Sequence, residues 1–134
     1  MIYKYYFCSG LDSITVESGN IVYDSRDNCN AIIETATNTL LRGCKNTIIP
    51  HSVTSIGSHA FSGCSGLTSV VIPNSVTEID EGTFYECSGL TSVEIPNSVT
   101  SIDRWAFGYC SGLTSVEIPN SVTKIGYAAF YGCI

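Results

Sequence analysis

The sequence has few charged residues, and basic residues are especially scarce. Lysine and arginine number six against twelve aspartates and glutamates, so the net charge is −6 over 134 residues. The six cations are scattered along the chain and form no basic patch. Because proteins bind nucleic acid largely by neutralising phosphates with such patches, the composition argues against a nucleic-acid partner.

Long apolar runs are also missing. No segment approaches the roughly 20 apolar residues that cross a bilayer, so we predict no membrane span. The first ten residues, MIYKYYFCSG, hold one lysine and no long apolar core, unlike a secretory signal. We therefore expect either a cytosolic protein or a piece of a longer chain whose signal lies elsewhere.

Motifs of catalysis and cofactor binding are absent too. The sequence has two histidines, His51 and His59, and no G-x-S-x-G elbow, phosphate loop or H-E-x-x-H motif. Its most regular hydroxyls suit hydrogen bonds to turn backbone better than nucleophilic catalysis; these are Ser52, Ser75, Ser98 and Ser121. We expect a protein that is not an enzyme and has no cofactor.

The chain contains instead a repeat of 23 residues. The unit LTSVEIPNSVTSIDRWAFGYCSG at 90–112 recurs at 67–89 and 113–134, and a copy with a weaker start lies at 44–66. A fixed period of this size is typical of a solenoid. We divide one domain, 1–134, into a partial repeat, an irregular repeat and four regular repeats, at 1–10, 11–43, 44–66, 67–89, 90–112 and 113–134.

Each regular unit predicts two extended pieces and a turn. Val93 and Ile95 alternate with polar residues as in a half-buried strand, which Pro96 then ends. A second extended piece follows at 99–102. The spacing of Ala-Phe-x-x-Cys at 106–110 indicates one helical turn on the core. The predicted fold is a strand-rich, α/β-type solenoid with parallel strands and short helical turns.

The irregular repeat contains ten residues more than the period. A polar cluster at 24–30 precedes two short β-favouring runs at 31–34 and 39–42, which predicts a hairpin. A calcium loop is the alternative, but the cluster lacks the EF-hand glycine and glutamate, so a polar turn is favoured. We expect the hairpin to widen the solenoid locally, and neither end carries an obvious cap.

Four of the seven cysteines share one repeat position. Equivalent residues of a parallel stack lie about 4.8 Å apart and point the same way, whereas disulfides need converging Cβ vectors. Metal sites would need C-x-x-C spacing or histidine partners. We therefore predict no metal site and a column of buried free thiols, formed by Cys64, Cys87, Cys110 and Cys133.

The copies form an internal alignment, with positions counted from residues 44, 67, 90 and 113. Variety and aromatic residues concentrate at positions 14–16 and 19–20, on the side of the predicted helical turn. Tyrosine, tryptophan and arginine dominate protein interfaces. The candidate protein-binding residues are therefore Tyr85, Arg104, Trp105, Tyr109 and Tyr127, although exposed loops also tolerate change without binding anything.

The terminal units should expose apolar residues and strand edges that a neighbouring repeat would cover. Uncovered edges are templates for pairing, and solenoids usually need polar caps. We therefore expect end-to-end self-association, or membership of a longer protein with more repeats.

The repeat pattern L-x-x-(V/I)-x-I-P-x-S-V-T-x-I-x-x-x-A-F-x-x-C-S-G resembles the BspA-like (Treponema pallidum-type) leucine-rich repeats of bacterial surface proteins. The module at 21–47 also resembles one interspersed in such proteins, and Thr83 departs from the pattern by replacing alanine. The resemblance implies a right-handed leucine-rich repeat superhelix, located outside the cell or on its surface. It also implies a module that binds host or bacterial proteins in adhesion; the alternative is a spacer with no ligand.

Overall fold

A computed structural model describes residues 10–134 as nine short strands and one 3₁₀ turn, Arg26–Asn28. The first three strands precede the regular repeats, and the other six belong to them. The strands are β1 (Tyr23–Asp24), β2 (Ala31–Glu34), β3 (Thr39–Gly43), β4 (Ser55–Ile56), β5 (Ser69–Val71), β6 (Glu78–Ile79), β7 (Ser92–Glu94), β8 (Ser101–Ile102) and β9 (Lys124–Ile125).

The regular repeats stack in parallel with a register of one whole unit. β5 pairs with β7 so that Val70 lies beside Val93. On a second side of the coil, β6, β8 and β9 pair in order, and Ile79, Ile102 and Ile125 are aligned. Because the register equals the repeat, each residue lies against its own equivalent in the next coil. This confirms the predicted solenoid of stacked repeats with parallel strands.

A column of phenylalanine rings fills the core. Phe61, Phe84 and Phe107 are fully buried, and Phe130 continues the column at the last repeat. Successive ring centroids are 5.4, 5.2 and 5.3 Å apart, and the ring planes differ by 12° or less. Each ring is therefore covered by the ring of the next coil, and one coil alone would leave it open to water.

A second column is formed by the cysteines. Within residues 10–134 the cysteines are free thiols; Cys64, Cys87 and Cys110 are buried as predicted, whereas Cys133 at the last repeat is half-buried. The thiols of Cys87, Cys110 and Cys133 each donate to a phenylalanine carbonyl 26 residues earlier, with Sγ···O distances of 3.1 Å. Burial raises the pKa of Cys110 to about 12 and that of Cys87 well above its ordinary value. The thiols thus satisfy backbone carbonyls inside the core.

The predicted helical turn is wrong in conformation. Within 105–110, the N–H groups of Ala106, Gly108 and Cys110 bond three residues back, as in successive β-turns. The N–H groups between them, those of Trp105, Phe107 and Tyr109, bond to carbonyls of the following coil. A helix would point its N–H groups along its own axis and not sideways to the next coil, so it could not form this ladder between coils.

The predicted hairpin is present, and one of its strands also pairs with the first regular coil. β2 and β3 are antiparallel with an irregularity at Ile32/Ile33, and β1 adds to β2. β3 also pairs in parallel with β4, which places Leu40 beside Ile56. Ile33 and Leu40 are fully buried in the same core as the repeats. The hairpin therefore covers the first regular coil as a cap, since the apolar face of its strands needs that burial.

An ion pair fixes the turn that leads into the hairpin. The guanidinium of Arg26 donates to both carboxylate oxygens of Asp24 at 2.8 Å, and it also donates to Asn38 across the module. These hydrogen bonds hold the pKa of Asp24 well below its usual range. The polar turn is thus held by its own side chains.

The segment at 11–16, which matches a repeat strand in sequence, forms no strand. The hairpin module takes the place beside the first regular coil, where the carbonyl of Cys29 accepts the N–H of Ile48 at 3.1 Å. Asp12 instead pairs with Lys45 at 2.9 Å on the surface. The partial repeat proposed for 1–10 lies outside the described residues except for Gly10. No helix among the described residues is long and apolar enough to cross a membrane.

We predict that the thiols of Cys64, Cys87 and Cys110 react with a thiol reagent at neutral pH only after unfolding. They are buried, and the raised pKa values of Cys87 and Cys110 leave little reactive thiolate. Timed labelling with and without denaturant, mapped by mass spectrometry, measures this, and the less buried Cys133 serves as the faster internal control. A disulfide between two column members, or fast labelling of native Cys87, would contradict the prediction.

Candidate functional site

Two positions in every regular repeat have a left-handed backbone. At position 16 the φ angles are +59° for His59, +64° for Gly82, +58° for Trp105 and +57° for Ala128. At position 20 they are +75°, +59°, +58° and +81° for Gly63, Glu86, Tyr109 and Gly132. Glycine adopts this conformation freely, whereas other residues are disfavoured by about 1–2 kcal/mol. The two large aromatic residues of the third repeat therefore lie at the two strained positions of their coil.

Hydrogen bonds to the next coil hold this strained backbone in place. The N–H groups of Trp105 and Tyr109 donate to the carbonyls of Tyr127 and Tyr131 at 3.1 and 2.6 Å. Between them, Phe107 donates to Ala129 at 2.8 Å and buries its ring. Strained residues persist where the surroundings over-determine them, and they often lie at functional sites. The aromatic pair thus projects from a rigid support.

Five rings meet on this side of the solenoid, and we call them the aromatic surface: Tyr85, Trp105, Tyr109, Tyr127 and Tyr131. Trp105 and Tyr109 are nearly parallel, with centroids 6.0 Å apart. Tyr85 of the preceding coil is edge-on to both, at 5.9 and 5.8 Å. Tyr131 of the following coil is edge-on to the same pair, at 5.6 and 5.7 Å. The surface therefore spans three repeats.

Much of the ring area reaches solvent. The exposed fractions are 40% for Tyr109, 77% for Tyr127 and 59% for Tyr131, while Tyr85 and Trp105 are half-buried. Tyr127 contacts the tryptophan at 6.0 Å, so it belongs to the same group of rings. The inner rings are thus supported by neighbours, and the outer ones are open to solvent.

Glycines give the rings their room. A Cβ on Gly108 would lie 2.7 Å from the Trp105 ring and 3.0 Å from the Tyr85 ring. A Cβ on Gly132 would lie 2.5 Å from the ring of Tyr109. Gly108 occupies the position of Tyr85 one repeat later, and Gly132 that of Tyr109. Each of these two tyrosine rings therefore leans over the glycine that follows it in its column.

The structure brings four of the five predicted residues into the ring group. Arg104 is the exception: it pairs with Glu81 at 3.3 Å, is largely exposed, and forms the rim. Tyr131 belongs to the group and was missed from the sequence. The alternation of Tyr85, Gly108 and Tyr131 at position 19 is the signal that could have found it, because a small residue between two large ones makes room for both.

The aromatic surface has acidic surroundings. Glu86 lies in the same column as Tyr109, and its N–H donates to the carbonyl of Gly108 at 2.7 Å. Burial, followed by the charge of Glu86 and the neighbouring Tyr109, raises the pKa of Tyr85. Asp103, next to the rim arginine, is exposed. Among Glu81, Glu86 and Asp103, only Glu81 forms an ion pair within residues 10–134, and its partner is Arg104.

A groove of about 720 Å³ lies beside the first strand of the repeats. It is lined by the Ile-Pro-Asn corners of three coils and by His51, Glu94 and Glu117. Parallel pairing on this side ends at β7, within the described residues. Continuing it would place Glu94 beside Glu117, and like charges opposite one another are unfavourable. The groove is lined by polar as well as apolar side chains.

The remaining candidate chemistry is sparse. Between residues 10 and 134, no group of three or more histidine, cysteine or acidic residues could hold a metal ion. The ring nitrogen of His59 lies 3.0 Å from the hydroxyl of Ser62, which in turn donates to the carbonyl of Gly82. This arrangement ties one coil to the next.

The family model described as "BspA type Leucine rich repeat region (6 copies)" matches residues 41–134. No curated protein matches the sequence.

Three solved structures are similar. A leucine rich cell surface protein from Faecalibacterium prausnitzii A2-165 is 30% identical, with a TM-score of 0.71, over 94% of this chain and 40% of that one. A leucine-rich repeat protein from Bacteroides ovatus ATCC 8483 is 32% identical, with a TM-score of 0.64, over 92% and 32% of the two chains. The T. pallidum leucine rich repeat protein shares the fold at 22% identity, with a TM-score of 0.62 over 90% and 68%. The chain thus spans less than half of each of the first two proteins.

We predict that Trp105→Gly is more stable than Trp105→Ala by about 1 kcal/mol. Both variants remove the ring, so the difference isolates the cost of a Cβ at φ +58°. Urea unfolding measures it. As a control, Ala106→Gly lies at the next residue, which is not left-handed, and should lose about 1 kcal/mol. Equal unfolding midpoints for the two Trp105 variants would contradict a strained backbone at this site.

Proposed function

The chain belongs to the BspA-type leucine-rich repeat family, and from this premise we propose that it is a non-catalytic module that binds another protein through the aromatic surface. The observation that carries the proposal is the group of five rings, drawn from three repeats and held on a strained backbone. Aromatic residues that are rigid and partly exposed supply most of the binding energy in many protein interfaces.

Adhesion is the setting that we propose for this binding. One similar protein is described as a cell surface protein, and this chain spans 40% of it. A parallel solenoid, which we expect to wind as a right-handed superhelix because parallel crossovers are right-handed, presents its side chains in rows along a rigid axis. Such a segment, placed outside the cell or on its surface, would present the aromatic surface to host or bacterial proteins.

A spacer that binds nothing is the second candidate. It is favoured by the strand face of the later repeats, where small polar side chains prevail: Thr91, Ser92, Thr114 and Ser115. A spacer needs rigidity and solubility from this face, and no recognition. The aromatic surface, whose rings are far more exposed than a core requires, favours the binding module.

We predict that the double variant Trp105→Ala, Tyr109→Ala loses at least tenfold in binding to extracellular-matrix proteins. It removes the parallel pair on which Tyr85 and Tyr131 both rest, and losing two aromatic anchors costs more than 1.4 kcal/mol. A pull-down measures it. Tyr23→Ala, which removes an exposed ring from β1, is the matched control and should bind normally.

The two readings give different outcomes in this assay. Unchanged binding by a folded double variant would remove the aromatic surface as the site, and absence of binding by the unmodified chain would support the spacer. Circular dichroism on each variant separates lost binding from lost folding.

We also propose that the 134-residue chain associates end to end. Ile125 is 53% exposed, whereas its equivalent Ile102, covered by the next coil, is 1% exposed. We predict that light scattering shows mass rising with concentration and that Ile125→Lys reduces the rise. Val71→Lys changes an exposed aliphatic residue on the side of a coil and serves as the control. A monomer at every concentration would contradict the proposal.

A further inference from the structure

The aromatic surface has an unused negative charge. Glu86 lies between Tyr85 in sequence and Tyr109 in the stack, and its backbone has a φ of +59°. No hydrogen bond or ion pair of its carboxylate is found among the described residues. The same position holds glycine in the first and last regular repeats, where the conformation is free of strain. Glu86 therefore combines a strained backbone with a carboxylate that has no described partner, and it lies beside the exposed rings.

The ring faces add to the same charge preference. An aromatic ring is negative on its face, so it attracts a cation lying over it. Tyr109 and Tyr131 are both exposed and lie edge-on to one another at 5.7 Å, so ring surface that a cation could meet reaches solvent. The rim carboxylate of Asp103 and the net charge of −6 disfavour anionic partners. Rings and charges therefore favour a cationic partner.

Arginine fits this arrangement better than lysine does. Its guanidinium is planar, stacks on aromatic faces and donates two parallel hydrogen bonds to one carboxylate. Lysine presents a compact, strongly hydrated charge that neither stacks nor pairs in this way. We propose, on the basis of the proposed function, that the aromatic surface takes an arginine side chain of its protein partner, stacked on the ring of Tyr109 and paired with Glu86.

The chain contains a fluorescent residue at the proposed site. Trp105 is the sole tryptophan, and it lies at the centre of the aromatic surface, so its fluorescence reports on this site. The probe is a capped peptide of alternating glycine and arginine, titrated into the full 134-residue chain at low ionic strength. A glycine–citrulline peptide keeps the planar shape without the charge, and a glycine–lysine peptide keeps the charge without the plane.

The arginine peptide should shift the tryptophan emission at the lowest concentration, the lysine peptide at a higher one, and the citrulline peptide at none that is accessible. Glu86→Gln should weaken arginine-peptide binding about fivefold, the effect of one exposed ion pair. Glu117→Gln removes an equal charge on the strand face and should leave binding unchanged.

The inference is overturned if citrulline binds as well as arginine, if lysine matches arginine, or if the two glutamine variants behave alike. Those outcomes leave the protein-binding role intact, because that role is decided by the pull-down with the Trp105 and Tyr109 double variant. Conversely, a binding defect of that variant together with no arginine response would keep the surface and change the chemistry of its partner.

Discussion

The structure depends on the hydrogen bonds that join each coil to the next. They align each residue of the short strands with its equivalent in the next coil, and on the turn side alternate N–H groups donate to carbonyls of the following coil. A coil has too few internal contacts to offset the entropy of ordering its chain, so stacking is the condition for folding. Once the register equals one repeat, the neighbours of every side chain in the adjacent coils are fixed.

Because coils stack in this register, residues at the same repeat position form a column along the solenoid. The side chains of each column must therefore pack against one another. Phenylalanines pack well in a column because their flat rings stack. Cysteines also pack well, because each thiol donates to a backbone carbonyl. Two adjacent glutamates in a column repel each other, and the strand pairing stops before Glu94 would meet Glu117. Tyr85 and Tyr109 on the turn side are accommodated because glycine follows each of them in its column. The aromatic surface is thus a product of the stacking rule.

Much of this follows from the sequence, since a period of 23 residues already specifies the stack, the core column and the free thiols. The turn side could not be read correctly, because apolar spacing at 106, 107 and 110 fits a helical turn and a pair of β-turns equally. Only the backbone angles reveal that Trp105 and Tyr109 are left-handed. The variety of residues at a repeat position does not single out Tyr131. The small Gly108 between Tyr85 and Tyr131 in the same column does. The capping role of the hairpin depends on β3 meeting β4, which no local pattern encodes.

The glycines beneath the rings have an evolutionary consequence. Nearly identical units are prone to unequal recombination, which adds or removes whole repeats. Deleting 90–112 would keep every backbone register, because the units are equivalent. It would also place Tyr85 directly under Tyr131, with no glycine between them, and remove the central pair of rings. The fold would survive such an event while the aromatic surface was rewritten in one step, so the surface of this chain can change far faster than its architecture.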